Sequence, residues 1–459
     1  MNKCRILFAS LFTGLVLMNC TQAVQPKVEN TPVSTPDAKI TATVYNSGFE
    51  HSHDTYNGLS SASDGKIYYV LCSTLMDVAG QMYCLDPKTG KTEHLGDLTE
   101  VCGEKDMKVV AQGKSHVNFV ESDGKLYFAT HLGYYSDIDG MEKTGIPTGD
   151  YKAYRGGHLL AYDMKSKKFE DLAIGPHSEG IITMNMDTKR GLIYGLTWPT
   201  GYLFRYDVAK KEMKDLGAFT GKGEDGKDKD FRVVCRSIAI NPEDGSVYMT
   251  NAEGDIKCLK LGSDAVETIQ GEDMRKDYFG TYEASTAGSM AYNWRQVFWY
   301  GPEKKIYGVH GNSGYLFRFD PAAPRMEVLD RLTSIPSKLS GMGDQFSYGY
   351  LGFKLGPDGH TIYYLTGAPI YENGKRVKGA TTTAKGEAKG LEDLHLITFD
   401  IQTGKYLDHG AIFYPDGGRP LYVNSIAIGL DGTVYTLARI TENGKERTDL
   451  VSIPNPFKK

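Results

Sequence analysis

The sequence predicts an all-β chain folded as one seven-bladed β-propeller, closed by an N-terminal strand that completes the last blade. Three observations lead there: a four-strand pattern that recurs seven times, a heavy use of glycine and tyrosine, and a final repeat that is one strand short. The 53 glycines and 30 tyrosines suit glycine-bearing turns between aromatic strands, which a fold of many short antiparallel strands requires.

Each repeat reads as an apolar first strand, a tight turn, a second strand with Ile, Leu or Val before Tyr, a variable loop, a third strand closing on Asp, and a short fourth strand. The turns are Asp64-Gly65, Asp123-Gly124, Asp244-Gly245, Asp358-Gly359 and Asp431-Gly432, with Arg190-Gly191 and Lys304-Lys305 in the other two places. The second strands are IYYVL, LYFAT, LIYGL, VYMTN, IYGVH, IYYLT and VYTLA. Third strands include MYCLD, HLLAYD, YLFRYD, YLFRFD and HLITFD; fourth strands include EHLGDL, FEDLAI, KDLGAF and MEVLDRL. Four strands repeated at roughly sixty residues is the pattern of a propeller, in which each blade buries its faces against two neighbours. The last repeat shows only YVNSIAIGL, TVYTLAR and DLVSIP, so ITATVYN near Ile40 is expected to supply its fourth strand and remove an unpaired edge. Residues 39–459 are then one ring. Two separate sandwiches would need a central linker, and none is visible.

The N-terminus carries Lys3 and Arg5 and then an apolar run over residues 6–18, too short to span a bilayer and suited to a cleaved export signal over residues 1–20. Residues 21–38 are polar and proline-bearing and read as a flexible tether. Leu17-Met18-Asn19-Cys20 resembles a bacterial lipoprotein signal. That resemblance implies acylation of Cys20 and a periplasmic or cell-surface protein whose only membrane contact is its lipid; Asn19 departs from the small residue usual there. A net charge of -5 gives no basic field for nucleic acid, and a monomer is expected. Of the remaining cysteines, Cys72, Cys84, Cys102, Cys235 and Cys258, the first two sit on adjacent strands. They suit either a disulfide or buried thiols, and no spacing matches a zinc ribbon.

Strand direction assigns loops to ends. With the tight turns at the bottom, the long connections lie on top, and so do His51, His53, His116, His131, His177 and His310, with His158 at the edge of a top loop. Aligning the first strands on their bottom turns brings Asn57, His116, Arg236, Arg295, Tyr350 and Asn424 to one height at the channel mouth. Polar heads on otherwise apolar strands need either an internal network or a ligand. The aromatic loop residues Tyr56, Tyr134, Tyr135, Trp198 and Tyr348 suit sugar stacking.

Carboxylates at that end are few, chiefly Asp54, Glu179 and Asp344, which speaks against glycoside hydrolysis by paired acids. Arg, His and Tyr together suit β-elimination from a uronic-acid glycan. Arginine neutralises the uronate, histidine takes the C5 proton and tyrosine protonates the leaving oxygen. The stretches KSHVNF with His116, THLGYY with His131, Tyr134 and Tyr135, and CRSIAI with Arg236 resemble the β-propeller polysaccharide lyases that act on ulvan and on rhamnose–glucuronate linkages. The resemblance implies a carbon–oxygen lyase with a poly- or oligosaccharide substrate. Arg236 and Arg295 would clamp the uronate, His116 or His131 would act as base, and Tyr134 or Tyr350 as acid. Asn57, Tyr56, Tyr135, His177, Trp198, His310 and Asn424 would contact substrate, with the 131–157 loop as one wall. His51-x-His53-Asp54 could hold a divalent metal with His116 or His177 as a third ligand. The rival readings are a surface propeller that binds glycan or protein without turnover, and a metal-dependent lactonase or hydrolase.

Overall fold

The computed structural model describes residues 39–53, 56–138, 141–339, 352–373, 375–376, 392–420, 423–442 and 444–458. The expected signal segment with Cys20 lies outside these residues, as do Asp54, Asp344, Tyr348 and Tyr350. Seven antiparallel blades follow one another, over residues 59–97, 120–174, 180–218, 239–273, 294–331, 353–413 and 427–453. The expected all-β propeller is the fold observed.

The strands differ by radius, and the sequence grammar follows from that. The second strand of blade 1, Ile67–Leu71, is buried at every position, because it is covered on both faces by neighbouring blades. The outer strand Lys91–Asp97 has no buried position and mixes exposed with half-buried ones. At the bottom the Asp side chains cap their own turns. Asp64 Oδ1 accepts from Lys66 N at 3.0 Å, Asp244 Oδ1 from Ser246 N at 2.8 Å and Asp431 Oδ1 from Thr433 N at 3.0 Å.

Closure is more elaborate than expected. Thr43 and Val44 pair antiparallel with Ser452 and Val451 and complete blade 7, as the sequence predicts. Just before them, Lys39–Thr41 pairs parallel with Ala411–Phe413 and adds a fifth strand to blade 6. One extended segment therefore stitches two blades, with Ala42 buried between the stitches.

Polar heads on the inner strands bridge successive blades. The Ser60 hydroxyl donates to Phe119 O at 3.2 Å, Asn185 Nδ2 to Ile238 O at 2.8 Å and Trp294 Nε1 to Ser237 O at 2.9 Å. Farther out, histidines on two third strands, His158 at the start of one and His395 within the other, tie them to fourth strands. His158 Nδ1 lies 2.9 Å from Asp171 and its Nε2 3.1 Å from the buried Glu104, while His395 Nδ1 lies 2.8 Å from Asp408. Cys72, Cys84, Cys102, Cys235 and Cys258 are buried free thiols, so a Cys72–Cys84 disulfide is not formed.

Candidate functional site

The upper mouth is built around two segments held back to back. Lys114 N donates to His131 O at 3.0 Å and His131 N donates to Lys114 O at 2.8 Å, which fixes both side chains at the exits of neighbouring strands. Glycine permits the approach: a Cβ on Gly133 would stand 1.8 Å from Ser73 O, and one on Gly180 would stand 2.8 Å from the His131 ring.

From there a chain of rings crosses the mouth. Tyr56 stacks on His116 with centroids 4.4 Å apart, and His116 lies 5.8 Å from His131. His131 in turn lies 5.6 Å from Trp198 and 6.3 Å from Tyr135. Lys114 Nζ sits 4.1 Å from the centroid of Tyr56 and 4.5 Å from that of Tyr135, a buried cation between two π faces.

Hydrogen bonding fixes the tautomers. His116 Nδ1 lies 2.8 Å from Ile182 O and His131 Nδ1 lies 2.7 Å from Leu132 O. A carbonyl only accepts, so both rings carry their proton on Nδ1 and present an unprotonated Nε2. Burial, followed by the Lys114 charge, holds both pKa values well below the ordinary histidine value; at His116 the charges of Arg236 and Arg295 add to this. Both rings are neutral at pH 7. They differ in access: His131 is wholly buried and its Nε2 has no partner among the described residues, whereas His116 retains 5% exposure and makes its one hydrogen bond through Nδ1.

A carboxylate not singled out in the sequence organises the next blade. Glu224 Oε1 lies 2.6 Å from Arg236 Nη2 and accepts from Val234 N at 3.0 Å; Oε2 accepts from Trp198 Nε1 at 2.9 Å. The hairpin formed by Tyr135–Ile138 and Met141–Thr144 reaches across to it, with Lys143 Nζ donating to Glu224 O at 2.8 Å. The 131–157 loop is thus a wall of the mouth. Arg295 is buried in blade 5 with its guanidinium against the Met290 sulfur.

The structure brings together Tyr56, His116, His131, Tyr135, Trp198 and Arg236, with Arg295 close enough to act on His116 electrostatically. Asn57 and Asn424 are buried just ahead of the inner strands Leu59–Ser61 and Ala427–Ile428, and both amide atoms of Asn424 lack a partner among the described residues. Other sequence candidates sit elsewhere. The Tyr134 hydroxyl donates to Ile146 O at 3.2 Å, within its own loop. His177 lies at the outer edge of blade 3, stacked on Tyr202 at 3.7 Å and paired with Asp215 at 2.7 Å. His310 is core: it stacks on Phe279 at 4.2 Å, bonds Ser313 at 2.8 Å, and burial lowers its pKa to about 3. His51 and His53 are exposed, His51 beside Phe49. Among the described residues no group of three metal-ligating side chains converges, so the expected third ligand for that pair is not found there.

Lys114 and Glu224 are the two groups that the sequence alone did not reveal. Lys114 is a lysine inside KSHVNF, two residues from His116. Glu224 is disguised in the charged run GKGEDGKDKD, although a buried Trp198 indole and Arg236 guanidinium both call for a carboxylate.

The chain matches no protein-family profile and no curated protein. Among solved structures it is similar to a chain of the mitotic checkpoint complex (TM-score 0.49, 10% identity, 93% of this chain and 99% of that one). It is also similar to the Cps50 (Swd1) β-propeller domain of Myceliophteria thermophila (0.48, 8%, 89% and 98%). A chain of the nidogen/laminin complex aligns over less (0.36, 10%, 60% and 80%). None of these likenesses bears on what the chain binds or does.

Proposed function

We propose that this propeller is an exported, carbohydrate-active protein whose upper mouth takes the carboxylate of a uronic-acid glycan and cleaves the chain by β-elimination. The observation that carries this reading is a neutral His116 whose Nε2 carries no proton, in the field of the cations Lys114, Arg236 and Arg295. Cations around the uronate acidify the proton on C5, and a neutral imidazole is the form that can remove it. In the reaction the C5–H bond breaks to His116 Nε2, a C4–C5 double bond forms, and the C4–O bond breaks. The leaving oxygen takes a proton, for which Tyr56, stacked on His116, supplies the neighbouring phenol. His131, shielded on all sides, holds the wall against Trp198 instead of meeting substrate.

The test is incubation of the purified protein with a panel of uronic-acid glycans while following ultraviolet absorbance of the unsaturated product. His116→Gln abolishes the signal and His131→Gln weakens it. Absence of product across the panel refutes the reaction. The burial of both imidazoles favours one other reading, a binding propeller without turnover. That reading predicts calorimetric binding of the same glycans, weakened by Lys114→Met, with no absorbance change.

A further inference from the structure

A hollow lies at the opposite end of the channel from the histidines. It sits at the lower ends of the inner strands of blades 1, 2, 6 and 7 and holds about 270 Å³. Its wall is largely apolar, from Phe119, Leu126, Leu355, Ala427 and Ile428. Two polar groups stand in that wall with nothing to bind among the described residues. Ser61 Oγ is buried without a partner. Lys354, half-buried on the inner strand Phe353–Leu355, makes no hydrogen bond or ion pair with them, and the desolvation it does suffer pulls its pKa below that of an ordinary lysine. The other ionisable group of the lining, Glu121, is turned to blade 1, its carboxylate accepting from the Ser63 amide at 2.8 Å and from the Ser63 hydroxyl.

An ammonium in an apolar hollow is costly unless an anion meets it there. The lysines on the outside of the ring behave differently: Lys125, Lys167 and Lys214 each reach a carboxylate. We propose that the lower end of the channel is a second ligand site, one that takes a small organic monocarboxylate with its carboxylate on Lys354 and Ser61 and its hydrocarbon body against Phe119, Leu355 and Ile428. The apolar wall selects an organic acid over an inorganic anion, since sulfate or phosphate would leave that wall without contact and would lose most of its own hydration. The site stands independently of the chemistry assigned to the upper mouth.

Calorimetric titration of the full chain with hexanoate and with benzoate tests it, with hexanol and sulfate as neutral and inorganic controls. Saturable binding of the acids is expected, weakened about tenfold or more in Lys354→Met, which keeps the side-chain stem but not the charge. In the unsubstituted protein the same acids should slow acylation of Lys354 by acetic anhydride, read by peptide mass spectrometry; this measurement decides the matter should the variant fail to fold. The proposal is overturned if neither acid binds saturably, if Lys354→Met binds them equally well, if hexanol or sulfate binds as tightly, or if Lys354 acylation is unaffected.

Discussion

Replacing Glu224 by Gln removes one charge and one acceptor from the wall of the mouth, and the size of the effect can be worked from the geometry. Oε1 serves two donors, Arg236 Nη2 at 2.6 Å and Val234 N at 3.0 Å, while Oε2 serves Trp198 Nε1 at 2.9 Å. The amide has one oxygen. Whichever way it turns, its NH2 faces a donor, and Arg236 loses its counter-charge. The Arg236 and Glu224 side chains are only 11% and 9% exposed, so solvent repairs little. Breaking a buried pair from one side costs about 3 kcal/mol or somewhat more. A ring of about 420 residues unfolding as one unit carries an unfolding entropy of ~0.9 kcal/mol/K, so Tm should fall by about 3 to 4 °C. Circular dichroism melts read the shift. Emission from Trp198, one of three tryptophans, should change at the same time, because the indole loses its acceptor or its neighbour moves. A Tm within about 1 °C of the unsubstituted protein, with an unaltered emission spectrum, would refute the role given to Glu224.

Three further outcomes are expected. Ala42→Asp places an unpaired carboxylate between the two stitches that close the ring and should cost about 3 kcal/mol or more, measured by denaturant unfolding; a neutral effect would mean the seam contributes little. Burial acts to lower the pKa of His158, but hydrogen bonds with Asp171, Cys102 and Glu104 outweigh it and raise the value from 6.5 to about 11. A raised histidine stabilises fully below its unfolded pKa, so the advantage of the unsubstituted protein over His158→Gln should be greatest below pH 6.5 and shrink as pH rises toward 11, followed as Tm against pH. On the lipoprotein reading of Leu17-Met18-Asn19-Cys20, Cys20→Ala should move the protein from the membrane fraction to the soluble one in expressing bacterial cells, and an unchanged distribution would refute that reading.

The fold was legible because radius writes itself into sequence. A second strand such as Ile67–Leu71 has blades on both sides and must be apolar throughout, so seven copies stand out against the more polar outer strands. The parallel stitch over Lys39–Thr41 was not legible, since a three-residue strand bears no pattern and its partner is set by where the outer edge of blade 6 happens to lie. The site was legible in part for a related reason. Loop identity gives a residue's height in the ring but not its distance from the axis. His116, His131 and Arg236 were placed well by height; His177 and His310 have the right height and the wrong radius, one on the outer strand's Asp215 and the other behind Phe279. Glu224 and Lys114 were hidden for a third reason: a buried charge can be recognised only once its partners are known, and those come from other blades or the far side of a loop.

The order of the two stitches has a mechanical consequence. A pull on the chain ahead of Lys39 would reach Lys39–Thr41 on blade 6 before it reached Thr43–Val44 on blade 7. The first stitch can be stripped while blade 7 keeps all four of its strands. It would therefore act as a cable's strain relief does, taking a tug from ahead of Lys39 before the latch of the ring is loaded.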